Sequence, residues 1–119
     1  MQVDCANGEA SDLGPASDTT CYPVMAAALN KRALALRTTD LGAATESVDL
    51  ALAQEQAPRD VRGLSLYLRA GLAYEASDAR TALDMATTYL SEGHTTFAPE
   101  MRTYRDWASG EIAGAAGTP

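Results

Sequence analysis

The chain is poor in positive charge, in aromatic rings and in histidine. Nine Lys and Arg stand against 16 Asp and Glu, for a net charge of −7. Phosphate backbones and anionic lipid headgroups bind positive protein faces, so neither nucleic acid nor an acidic membrane surface is an expected partner. No apolar run approaches the roughly 18–20 residues of a membrane helix, and no membrane insertion is expected. The single histidine, His94, directly follows Gly93 in a loop segment, where a solvated side chain is the ordinary outcome. GxSxG, HExxH and P-loop patterns are missing. The acidic leader holds Asp4, Asn7, Glu9 and Asp12, but not at the spacing of a calcium-binding loop. No catalytic residue, metal or cofactor is therefore expected, and the chain does not read as an enzyme.

Cysteine is also scarce, and its placement is informative. Cys5 and Cys21 flank the 15-residue stretch ANGEASDLGPASDTT, which is polar and rich in Gly, Pro, Ser and Asp. A disulfide between them would close a loop worth up to roughly 3 kcal/mol. Two free thiols on a polar arm is the other reading. Cytosolic chains seldom carry paired cysteines in such a leader, so a disulfide and an extracytoplasmic protein, secreted or in the cell envelope, are expected. The opening MQVDCANGE has no basic region and no apolar region, so it is not itself a signal peptide. An exported chain would have had its leader removed.

What the chain has in quantity is alanine, and with it helical spacing. Residues 1–22 show no hydrophobic period and are expected to form an irregular acidic arm. Pro23 suits the first turn of a helix, where its missing N–H costs nothing. Met25, Leu29, Ala33 and Leu36 then recur at threes and fours. Asp40 is a good N-cap for a second helix carrying Leu41, Ala44, Val48, Ala51 and Leu52, expected to end near Gln56 ahead of Pro58. A third helix runs from about Pro58 to Ala76, with Tyr67, Ala70 and Tyr74 on one side and Leu64, Leu68 and Leu72 on the next. Asp78 caps a fourth, with Ala82, Ala86, Tyr89 and Leu90 inward and Gly93 as its stop. Pro99 opens a fifth with Met101, Tyr104, Trp107 and Ala108. The tail from 111 to 119 has too much Gly to hold structure and is expected to be flexible. No segment alternates as a strand does. The fold class is all-α: two antiparallel helix hairpins plus a C-terminal capping helix, occupying residues 23–110 as one domain.

The two hairpins align without a gap at a shift of 38 residues. Leu34 meets Leu72, Ala35 meets Ala73, Asp40 meets Asp78, Ala44 meets Ala82 and Leu52 meets Leu90. Leu29 pairs with Tyr67, Ala33 with Gly71, and Leu36 with Tyr74. Small residues at Ala33 and Gly71 are expected where paired helices cross closely, facing Ala44 and Ala82. A bulky residue, a small one four on, an aromatic or Leu three further, then a turn and an Ala: this order resembles the tetratricopeptide repeat. The resemblance covers residues 25 to 92. The period is longer than the family's roughly 34 residues, and both turns lack its Gly. A plain four- or five-helix bundle with Ala at its crossings fits the same residues.

The resemblance implies a non-enzymatic protein- or peptide-binding module whose inner helices line a concave groove. Groove positions carried over are Asn30, Lys31, Leu34 and Arg37 in the first hairpin, and Leu68, Arg69, Leu72 and Glu75 in the second. Of these, Asn30, Lys31, Arg37, Arg69 and Glu75 are the candidate contact residues. Lys31 and Arg69 are equivalent under the shift and would suit a carboxylate or an acidic segment. The alternative is a helical assembly subunit or homodimer that associates through Tyr104 and Trp107 of the last helix.

Overall fold

The computed structural model describes residues 22–55 and 57–116, with side chains described from 25 to 114. Cys5, Cys21 and the expected arm, apart from Tyr22, lie outside the described residues. Five helices follow in order: α1 (Tyr22–Leu36), α2 (Leu41–Leu52), α3 (Arg59–Glu75), α4 (Ala79–Ser91) and α5 (Ala98–Ala116). Among the described residues there is no strand. The all-α architecture of helix hairpins with an added C-terminal helix is the one the spacing predicts. The chain divides into two compact units, Met1–Ser65 and Leu66–Pro119, with the boundary inside α3.

In the first unit α1 packs on α2. Asp40 caps α2, its Oδ1 accepting from the Ala43 amide at 3.0 Å. The buried side of α2 is Ala44, Ser47, Val48 and Ala51, a three–four spacing. Ala26, Leu29 and Ala51 form a core cluster with Ala57 and Val61 packed against it. Ala33 and Ala44 are both buried. Leu52 is the last helical residue of α2, four short of the expected end. The Ala53 amide bonds back to Asp49 and the Gln54 amide to Ala51, so the turn closes before Pro58 acts.

In the second unit α4 packs on α5. Three alanines from three helices meet in its core: Ala73 of α3, Ala82 of α4 and Ala108 of α5, each 0% exposed. This relocates the expected crossing. Gly71, predicted to face Ala82, lies instead beneath Tyr104. A Cβ built there would sit 3.3 Å from the Tyr104 hydroxyl oxygen and would meet no atom of Ala82 within 4 Å. The α3 residue that shares the buried cluster of Ala82 is Ala73. Its partner under the 38-residue shift, Ala35, is exposed. A third neighbour, α5, takes the side of α3 that the pairwise alignment assigns to α4.

The two corners also differ. Both helices after the corner begin on an aspartate cap, and Thr81 donates its amide to Asp78 Oδ1 at 3.2 Å. The first corner returns the Thr39 and Asp40 amides to the Leu36 carbonyl. The second sends the Asp78 amide to Ala73 O at 2.7 Å and the Ser77 amide to Tyr74 O at 3.0 Å. That pairing is a Schellman motif, which needs a left-handed residue, and Ser77 supplies it at φ 58°. The stop of α4 is the expected one: Gly93 takes φ 83° just past the Glu92 C-cap.

The expected flexible tail is corrected through residue 116. Helix α5 continues past Gly110 and Gly114 to Ala116. Each helical Gly costs about 1 kcal/mol relative to Ala. The intervening Glu111, Ile112 and alanines are helix-compatible, and Ile112 is half-buried.

Two substitutions test these readings. Gly110→Ala is expected to stabilise the protein by about 0.5–1 kcal/mol, because a Cβ there meets nothing within 4 Å. Ser77→Gly is expected to stabilise the protein by a similar amount, read as a higher urea midpoint, since glycine adopts the left-handed conformation without the Cβ cost.

Candidate functional site

The expected contact residues are distributed over both units. Asn30 is a correction: it is 1% exposed. Its Nδ2 donates to Val61 O at 3.3 Å, and its Oδ1 accepts from Ser65 Oγ at 2.8 Å. Ser65 is itself buried and lies 3.1 Å from the same Val61 carbonyl. A side chain consumed in this way ties α1 to the start of α3 and offers nothing to a partner. A buried polar pair tolerates no sliding of one helix along the other, because either shift leaves an amide or hydroxyl unpaired. Sequence spacing placed Asn30 beside Lys31. The signal that separates them is Ser65, 35 residues away, and no local pattern joins the two.

Lys31 is exposed on α1, and Arg37 is exposed just past its end. Leu34, three residues from Lys31, is 43% exposed. In the other unit Glu75 is exposed and Arg69 half-buried. The Asp78 carboxyl is held below its ordinary value of 3.8 first by the Thr81 hydroxyl and then by the Thr81 amide, with a smaller contribution from the Arg69 charge. Its slight burial works against the shift.

The feature that sequence reading passed over is an aromatic ladder. The chain has one Phe, one Trp and five Tyr. Both singletons and three of the tyrosines join in one array in the second unit. Tyr67 of α3 stacks on Phe97, which precedes α5, with ring centroids 4.1 Å apart and planes 4° from parallel. Tyr67 also approaches Tyr104 of α5 at 6.3 Å. Tyr104 approaches Tyr74 at 5.6 Å, and Tyr74 meets Trp107 edge-on at 4.8 Å. Such contacts contribute about 0.5–1.5 kcal/mol each beyond area burial. The ladder is not internal: Tyr74 is 47% exposed, and Tyr67, Phe97, Tyr104 and Trp107 are half-buried. The sequence carried a partial signal, since Tyr67 and Tyr74 are seven apart and Tyr104 and Trp107 three apart. Gly71, between the first two, gives Tyr104 room to lie against α3.

Phe97 is positioned by Tyr89, whose buried hydroxyl oxygen accepts the Phe97 amide at 2.6 Å. His94 packs on the Tyr89 ring with centroids 4.8 Å apart and bonds Glu92 Oε1 through Nε2 at 2.8 Å. Its side chain is only 6% exposed, so the expected solvated loop histidine is instead packed against the end of α4.

Among the described residues, no group of three His, Cys, Asp or Glu side chains is placed to hold a metal ion. No described helix is long and apolar enough to cross a membrane. Comparison of the chain with protein-family models, with curated proteins and with solved structures found no match.

The cap chemistry gives a pH prediction. A carboxyl with a lowered folded-state pKa stabilises the fold above its unfolded pKa, and this stabilisation is lost as pH falls through the folded value. Asp78→Asn keeps a capping oxygen but removes the titration. Its stability is therefore expected to fall less steeply than wild type between about pH 5 and pH 2, read by urea melts across that range. Equal slopes would assign no part of the acid sensitivity to this cap.

Proposed function

We propose that this chain is a non-enzymatic protein- or peptide-binding module of the tetratricopeptide-like type, working outside the cytoplasm, and that its contact surface is the aromatic ladder of α3 and α5. The ladder carries this reading. Four rings of α3 and α5 and Phe97 beside them, with Tyr74 about half exposed, form an amphipathic surface. Aromatic residues of this kind dominate binding energetics because they bring large area at low conformational cost. The tetratricopeptide-like character rests on the repeated Asp cap and the matched burial of Ala44 and Ala82, Val48 and Ala86, and Ala51 and Tyr89. The extracytoplasmic assignment rests on Cys5 and Cys21.

The expected cationic grip by Lys31 and Arg69 is less favoured, because the two positions are not equivalent in exposure: Lys31 is exposed and Arg69 half-buried. Self-association through α5 is the second reading, favoured by the half-buried Tyr104 and Trp107 of that helix and by Tyr74 beside them.

Selection of a displayed random-peptide library on the immobilised protein tests the proposal. Peptides are expected to be enriched on wild type and not on Tyr74→Ala, a surface change that keeps the helical spectrum. No enrichment over the variant would overturn it. Sedimentation at two concentrations decides the second reading: a wild-type dimer that Tyr74→Ala abolishes would make the ladder a self-association face.

A further inference from the structure

We propose that the ladder takes a cationic partner, an arginine-bearing segment of another protein. The inference rests on the ladder being a peptide-binding face and names what that face selects. Aromatic ring faces carry negative electrostatic potential and attract guanidinium groups, with Trp the strongest and Tyr next. Arginine also lies flat on a ring, which an ammonium group cannot do.

The charges along the ladder agree with this. On α5, Glu100, Tyr104, Trp107 and Glu111 fall at successive steps of four, three and four, which is one side of a helix. The aromatic pair on that side is bracketed by carboxylates, and both Glu100 and Glu111 are exposed. On α3 the row of Tyr67, Gly71 and Tyr74 follows the same steps of four and three and carries no charge.

The arginines of this unit lie elsewhere. Arg69 is about 140° round α3 from Tyr74, and Arg102 about 160° round α5 from Tyr104, at 3.6 residues per turn. Arg105 is drawn to Asp106 at 3.4 Å, and Arg80 belongs to α4. The charged members of the aromatic row, Glu100 and Glu111, are thus both acidic, on a chain of net charge −7. An acidic segment would be repelled from this row, and a purely apolar one would leave its carboxylates unused.

The only tryptophan of the chain, Trp107, lies within the ladder and reports on it directly. Its emission is to be followed while the full chain is titrated with three dodecapeptides, alternating glycine with arginine, with glutamate or with leucine. The arginine peptide is expected to give a saturable change that weakens with added salt. Tyr74→Ala and Glu111→Lys are each expected to weaken it about three- to tenfold. Glu46→Lys, the same charge change on the exposed side of α2, is expected to leave it unaltered.

Equal binding of the glutamate or leucine peptide would overturn the inference and leave the binding-module reading standing. So would an equal effect of Glu46→Lys, since attraction would then be to net charge alone. If none of the three peptides binds while the library selection still enriches others, the arginine preference alone falls. If both experiments fail, the binding face itself falls.

Discussion

The contact of Ala73, Ala82 and Ala108 sets the geometry of the second unit. Three helices can share one crossing only if each brings a methyl group there, and a larger side chain would force the helices apart at a typical cost of about 1–3 kcal/mol. Alanine buries little area, so this closeness gains mostly dispersion contact rather than hydrophobic transfer. Trp107 packs against this cluster from outside. Tyr67, Tyr74, Tyr104 and Trp107 are placed at the rim, in contact with one another and with solvent.

The first unit solves its register differently. Leu29 and Val48 supply the apolar volume, and the Asn30–Ser65 pair fixes how α1 meets the beginning of α3. Helix α3 thus serves two chemistries along its length, a buried hydrogen bond near Ser65 and a half-exposed aromatic row from Tyr67 onward. A helix with buried residues on several sides, here Ser65, Leu66, Leu68, Ala70, Leu72 and Ala73, has neighbours on more than one face. Helix α1, exposed at Lys31, Arg32, Leu34 and Ala35, has fewer.

This contrast explains what the sequence made legible. Caps and stops are decided within three or four residues of the chain, so Asp40, Asp78 and Gly93 could be read directly. The helical segments follow from the spacing of Leu and Ala for the same reason. The partner of each face is not local information. Asn30 looked like the neighbour of Lys31 until Ser65 was known to meet it. Gly71 looked like a crossing residue because Ala33 sits at the same step, yet Tyr104 occupies the space above it. The end of α5 is not legible locally, because Gly110 and Gly114 suggest a stop, while a helix already packed through Met101 and Ala108 continues across them. Phe97 and Tyr67 lie 30 residues apart, and their stacking has no counterpart in periodicity.

Asp78 belongs to two helices at once. Its amide closes the last turn of α3 on the Ala73 carbonyl, and its carboxylate opens α4 through Thr81. Fraying is therefore not available to either helix end alone: unwinding the end of α3 strips the start of α4 of its anchor. Since Ala73 also stands in the three-alanine crossing, this corner is a rigid elbow rather than a hinge, and the bend between the two rods is fixed by the same residue that the crossing depends on.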